Sequence, residues 1–256
     1  MLAALLELAP AGVEQVDGPG FVEYAVYGAP GELPSFPDGE AEVGGALVRV
    51  RGEPVADDWA ERWRAFHEPV LVERPGGVGL WVRPPWAQPR ADALDLVIDP
   101  GQAFGTGAHP TTRLSLELML RLQARGSFAD LGSGSGVLAI AAARLGFAPV
   151  SAFDNERAAV EATRANAAAN AVELERVERL NLREAPPPVA DTVAANLTRP
   201  LLLAVARQIT EHPSALIVSG LLDHEADEAA TAFEPLLERG RLSSLGWSAL
   251  LLTRPL

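Results

Sequence analysis

Residues 128–144, F-A-D-L-G-S-G-S-G-V-L-A-I-A-A-A-R, constrain the fold more than any other stretch. A short apolar strand runs into a turn with glycine at positions 132, 134 and 136, and the turn runs into an alanine-rich helix. Glycines at alternate positions permit torsions, and a closeness of ligand approach, that a Cβ would block. The helix start then offers unpaired N–H groups and a positive dipole end to a polar or anionic ligand. A dinucleotide fingerprint needs G-x-G-x-x-G. Its third glycine would fall at Val137. The spacing is therefore G-x-G-x-G, with Asp130 two residues ahead of the first glycine.

Beyond residue 144 the chain alternates strand and helix. Strands are expected at 149–153, 177–180, 192–195 and 215–219, with helices at 156–170, 200–209 and 223–238. A terminal pair of strands is expected at 241–245 and 247–253. With the strand at 128–131 this makes an α/β domain with a seven-stranded Rossmann-like sheet. Ahead of it, apolar alternation predicts strands at 80–83 and 94–98.

The first 55 residues read as a small α+β module. A short apolar helix is expected at 2–8, and strands at 21–27 and 46–51 flank a Gly/Pro/Glu-rich loop at 28–45. The module has no catalytic signature, so binding is its expected role. Residues 57–66, D-D-W-A-E-R-W-R-A-F, place Trp59, Trp63 and Phe66 at i, i+4 and i+7 behind Asp57 as N-cap. They read as a connecting helix with an aromatic packing stripe. The expected domains are 1–55, a connecting helix and linker at 56–90, and the main domain at 91–256.

Three places carry candidate site residues. Asp154 ends the second strand, about 20 residues past the glycines, where a carboxylate can accept hydrogen bonds from two ribose hydroxyls. The alternative is a cap for the next helix, but Asn155 and Glu156 are also available there, which favours the ribose. Asn196 ends the fourth strand at the carboxyl edge of the sheet, where open α/β folds bind ligands. Its alternative is a strand cap. The loop D-P-G-Q-A-F-G-T-G-A-H-P-T-T-R-L (99–114) leads into a helix with Pro110 near N1. Thr111 and Thr112 are free for the first turn or a ligand, and Leu114, Leu118 and Leu122 form the buried face. Capping chemistry accounts for Pro110 and one threonine, but not for Phe104, Gly105, Thr106 and Gly107 in front of them.

Composition excludes several chemistries. There is no cysteine, and the four histidines show no metal-ligand spacing, so no metal site is expected. No segment has eighteen uninterrupted apolar residues, so a cytoplasmic protein without membrane contact is expected. The net charge of −13 opposes a broad phosphate-binding face and suits a basic partner. All 21 basic residues are arginine.

The G-x-G-x-G turn resembles motif I of S-adenosylmethionine-dependent methyltransferases. More specifically, P-G-Q-A-F-G-T-G-A-H-P-T-T followed by D-L-G-S-G-S-G-V-L-A-I-A-A closely resembles the PrmA family, the methyltransferases of ribosomal protein L11. D-W-x-x-x-W at 58–63 and P-P-W at 84–86 resemble that family's linker. The resemblance runs from about residue 58 onward; residues 1–55 resemble the family's small substrate-binding domain only loosely and are expected to lack its first strand.

This resemblance implies a class I methyltransferase domain preceded by a small α+β domain. It implies transfer of methyl groups from S-adenosylmethionine to lysine, and N-terminal, amines of L11, with S-adenosylhomocysteine as product. The implied cofactor contacts are Phe104, Gly105, Thr106, Gly107, Thr112, Gly132, Gly134, Asp154, Asn155 and Asn196, with Asn196 also orienting the acceptor amine. Methyltransferases of planar nitrogens commonly carry [DN]-P-P-[YF] where this chain has Asn196-Leu-Thr-Arg. A tetrahedral amine needs no such stacking platform. A monomer that does not bind nucleic acid is expected.

Overall fold

Backbone pairing turns the alternating stretches near the start of the chain into two antiparallel hairpins. β1 (Val13–Gly18) pairs with β2 (Phe21–Val26), and β3 (Gly39–Val43) with β4 (Ala46–Val50). β3 lies inside the stretch expected to be loop; its glycine and glutamates masked a short alternation ending in Ala41 and Val43. The computed structural model describes residues 13–18, 21–26, 39–43, 46–51, 67–74, 76–100, 109–122 and 126–255. The expected helices at 2–8 and 57–66 and the loop residues Phe104, Gly105, Thr106 and Gly107 lie outside these.

The chain divides into two compact units, Met1–Arg64 and Ala65–Leu256. The second opens with a three-stranded sheet: β5 (Val70–Val72) antiparallel to β6 (Gly79–Arg83), and β6 parallel to β7 (Ala93–Val97). Two strands, β5 and β6, thus fall within 56–90, the span expected as connecting helix and linker. Val72, Leu80, Val82 and Leu96 are buried in the second unit's core, which is why these strands belong to it.

α1 (Pro110–Arg121) leads to β8 (Phe128–Leu131), and α2 (Val137–Leu145) to β9 (Val150–Asp154). α3 (Arg157–Ala169), β10 (Arg176–Arg179), β11 (Thr192–Asn196), α4 (Arg199–Gln208) and β12 (Ala215–Leu222) come next. A 3-10 turn, Asp223–Glu225, opens α5 (Ala226–Ala232), and β13 (Leu237–Ser244) and β14 (Trp247–Thr253) close the unit. The sheet order is β10-β9-β8-β11-β12-β14-β13. All neighbours are parallel except those of β14, which runs antiparallel to both β12 and β13. This is a seven-stranded, mostly parallel α/β sheet of class I methyltransferase type. Its strand order reverses between β8 and β11, where open α/β sheets form a crevice at their carboxyl ends.

Side-chain alternation sorts each strand between two cores. Phe128, Ala152, Ala194, Ile217 and Leu251 face α1, α2 and the small sheet. Leu131, Phe153, Val193, Val218 and Leu250 face Leu202 and Val205 of α4 and Ala226 and Ala229 of α5. Strands buried on both faces read as near-continuous apolar runs, and V-A-A and A-L-I-V are such runs. The helix expected over 223–238 stops at residue 232 because Pro235 disfavours helical torsions at Glu234. The last strand pair accordingly begins at Leu237 rather than 241. No helix among the described residues is long and apolar enough to cross a membrane.

Candidate active site

The turn between β8 and α2 is shaped by its backbone. Gly132, Gly134 and Gly136 have φ of 75°, 52° and 82°, torsions that only glycine adopts without strain. The carbonyl of Phe153 accepts from the N–H groups of Gly132 (2.8 Å) and Ser133 (3.0 Å). A Cβ on Gly136 would lie 2.8 Å from Thr163 Cγ2, so this glycine lets α2 begin against α3. Thr163 Oγ1 donates to the Gly134 carbonyl (3.1 Å) and lies 3.0 Å from Ser133 Oγ.

Two carboxylates brace this turn. Asp154, at the end of β9, accepts from Gly134 N–H on Oδ2 and from Glu156 N–H on Oδ1, both at 2.9 Å. The bond to residue i+2 is the local turn that aspartate favours; the N-cap of α3 is Glu156, without a side-chain cap bond, so Asp154 does not take the capping role read as its alternative. Each oxygen keeps a further lone pair, which leaves the ribose role open to the same side chain. Asn155 is exposed beside it, and its carbonyl accepts from Arg179 Nε at 3.0 Å.

Asp130 is fully buried, and its Oδ2 accepts from Ala139 N–H at 3.1 Å. The start of α2 is thus answered from inside the protein, where the sequence suggested unpaired donors for a ligand. Asp130 Oδ1 has no hydrogen-bond partner. Burial, with a further push from the neighbouring Asp154 charge, raises this carboxyl to about 7.

Across the crevice, β11 ends in Asn196. Its Nδ2 lies 3.4 Å from Thr112 Oγ1 on the first turn of α1. Thr112 itself is buried. The next residue, Leu197, closes over the turn: a Cβ added to Gly132 would collide with Leu197 Cδ2. Gly220 lies on the other side with φ of 84°, and a Cβ there would run into the Leu197 carbonyl. Leu197 N–H donates to the Ser219 carbonyl at 3.1 Å.

His109 is the N-cap of α1. Its Nδ1 accepts from Thr111 N–H (3.3 Å) and lies 2.8 Å from Thr111 Oγ1. Its ring meets Trp247 edge-on at 5.0 Å. Burial lowers the imidazole below its ordinary value, so it caps as the neutral ring with Nδ1 unprotonated.

Thr112, Gly132, Gly134, Asp154, Asn155 and Asn196 therefore gather at one carboxyl edge, around the reversal of strand order. Asn166 and Asn170, in the helix expected over 156–170, were not anticipated as site residues. Both are buried, at 2% and 7% exposure, and Asn166 Nδ2 donates to the Ser135 carbonyl inside the glycine turn at 2.9 Å. The available signal was two asparagines four residues apart in an alanine-rich helix, a poor choice for a helix unless the side chains have work.

Residues 41–255 match a family model described as ribosomal protein L11 methyltransferase (PrmA). A ribosomal protein L11 methyltransferase of Pseudomonas syringae pv. tomato is 37% identical over 196 residues, covering 74% of this chain and 66% of the relative. The chain thus spans just under two thirds of the length of such curated relatives. Among solved structures, a ribosomal protein L11 methylase of Lactobacillus delbrueckii subsp. bulgaricus superposes with a TM-score of 0.66 at 27% identity, covering 74% of this chain and all of the other. A tRNA (uracil-54, C5)-methyltransferase of Pyrococcus abyssi, solved with S-adenosyl-L-homocysteine, shares the fold: TM-score 0.53, 20% identity, covering 65% of this chain and 44% of the other.

Proposed function

Because the chain belongs to the ribosomal protein L11 methyltransferase (PrmA) family, we propose that it transfers methyl groups from S-adenosylmethionine to amines of L11. The acceptors in this reading are lysine nitrogens and the N-terminal α-amine. The observation that carries the proposal is the convergence of Gly134, Asp154 and Asn196 at the reversal of strand order.

The edge suits this cofactor on its own chemistry. Glycine torsions leave a ledge without side chains, a half-buried carboxylate with spare lone pairs stands beside it, and a carboxamide faces it from the next strand. Gly132 and Gly134 would carry the cofactor's backbone-facing side, and Asp154 with Asn155 its ribose. Asn196 and Thr112 would hold the methionine end, with Phe104, Gly105, Thr106 and Gly107 contributing from the preceding loop. When bound, S-adenosylmethionine supplies an electrophilic methyl group.

The residues' task is then to hold the acceptor in line and to exclude water. The acceptor must arrive neutral. A lysine with a pKa of about 10.4 is neutral in about one part in a thousand near pH 7.4, a cost of about 4 kcal/mol. Burial at the edge lowers that pKa, so a strong base is not required. His109 is engaged as a helix cap, and Asn196 orients the amine through its side-chain oxygen. The smaller unit, with its two hairpins, serves to recognise L11, and the −13 charge suits a basic protein partner. The protein acts as a cytoplasmic monomer on protein rather than nucleic acid.

The test is mass spectrometry of L11 after incubation with this protein and S-adenosylmethionine. Successive methyl increments on L11 are expected. The enzyme has no lysine of its own, so lysine methylation found in the digest belongs to the substrate. An L11 of unchanged mass, with cofactor demonstrably bound, overturns the substrate; failure to bind S-adenosylhomocysteine overturns the whole reading.

A further inference from the structure

Among the described residues, β7 is paired with β6 along one edge only. Its other edge meets two side chains of α3 where a neighbouring strand would lie. Val97 N–H donates to Asn170 Oδ1 (2.8 Å), and Asn170 Nδ2 donates to the Val97 carbonyl (2.6 Å). Two residues on, Asp99 N–H donates to Asn166 Oδ1 (2.9 Å), and Asn166 Nδ2 approaches the Asp99 carbonyl at 3.4 Å. An extended chain turns both polar groups of alternate residues to one side, and each carboxamide, with one acceptor and one amino group, satisfies such a pair. The pattern fixes which way each amide points, since the opposite flip would set oxygen against oxygen.

The two amides differ in their remaining bonds. Asn170 Nδ2 turns back to the Asn166 carbonyl of its own helix (2.7 Å), whereas Asn166 Nδ2 reaches forward to the Ser135 carbonyl (2.9 Å). One carboxamide thus joins the glycine turn, the middle of α3 and the point at which the chain leaves β7 for residues 101–108. Both side chains are buried, and so are the bonds to the Ser135 and Asn166 carbonyls, whereas those to Val97 and Asp99 are part-buried; loss of the Ser135 bond therefore strands a carbonyl away from water.

We propose that Asn166 is a positioning residue for the cofactor, whereas Asn170 caps the free edge of β7 only. Asn166 sets the depth of the turn between Gly134 and Gly136, and by the same side chain fixes where residue 99 stands against it. Its effect on the cofactor is exerted through the backbone of Ser135, and the inference rests on the proposed cofactor.

The paired variants Asn166→Ala and Asn170→Ala test this. Each breaks both contacts to the edge of β7, so each should lower the melting temperature of the ligand-free protein by a similar amount. Calorimetric titration with S-adenosylhomocysteine should then separate them: affinity about tenfold weaker or worse for Asn166→Ala, and within about threefold of wild type for Asn170→Ala. Equal losses in the two variants, or normal affinity in Asn166→Ala, would overturn the assignment. If either alanine variant fails to fold, Asn166→Asp and Asn170→Asp keep the bond from the backbone N–H but set oxygen against the carbonyls, and the same ratio is read. Wild-type protein that does not bind S-adenosylhomocysteine counts against the cofactor, not against this division between the asparagines.

Discussion

The turn after β8 and the end of β11 stand side by side at the carboxyl edge, yet they are built in opposite ways. The turn is made of backbone: glycine torsions, a shared Phe153 carbonyl and two carboxylates gripping N–H groups. The end of β11 is made of packing, with Leu197 wedged between Gly132 and Gly220 and Asn196 set against Thr112. A backbone-built region announces itself in residue identity, because only glycine fits. A packed one depends on neighbours far along the chain. The difference also predicts which region tolerates change.

The widest separation should come from alanine at the two glycines that Leu197 touches. Gly220→Ala meets the Leu197 backbone, which cannot turn aside. A left-handed torsion costs about 1–2 kcal/mol and overpacking about 3 kcal/mol, so a loss of about 4–5 kcal/mol is expected in denaturant unfolding. Gly132→Ala meets only the end of the Leu197 side chain, and should cost little beyond the torsion. Equal losses would mean that Leu197 is as rigid in its side chain as in its backbone, and the contrast would fail.

Asp130→Asn sharpens the account of the backbone-built side. A carboxyl raised from 3.8 to about 7 stabilises the fold fully below pH 4, and that contribution is lost as pH climbs to about 7. The asparagine variant does not ionise. Its stability should match wild type near pH 4 and exceed it progressively toward pH 7, by at most about 4 kcal/mol at about 1.36 kcal/mol per unit. Parallel curves of stability against pH for the two proteins would remove Asp130 as the source.

The smallest effect expected, and the one that probes the packed side, is that of Asn196→Ala. Loss of in-line orientation should slow single-turnover methylation by about a hundredfold, with a smaller loss of S-adenosylhomocysteine affinity and a nearly unchanged melting temperature. A destabilised protein with full specific activity would make Asn196 a strand cap.

Much of this edge was legible in the sequence. The turn, the strand that feeds it and the positions of Asp154 and Asn196 come from spacing and period alone. Asp154 was legible only as a choice between ribose and helix start, since residue identity does not show that its two oxygens accept from Gly134 and Glu156 N–H. Asn166 and Asn170 were not legible, because the backbone groups they satisfy lie 67 and 73 residues earlier. The over-long helix at 223–238 had a local cause: its alanine-rich start outweighed Pro235, which alone decides where the helix must stop.

The position of β14 has a consequence for how the molecule assembles. Among the described residues β13 pairs with β14 and with no other strand, so it can join the sheet only through β14. β12 likewise keeps one open edge until residues 247–253 are available to it. β13 and β14 thus form one hairpin at this end of the sheet, folded about Leu245 and Gly246, both at positive φ. An insertion that lengthened this turn would leave the edge chemistry untouched in sequence and delay the step that closes the sheet.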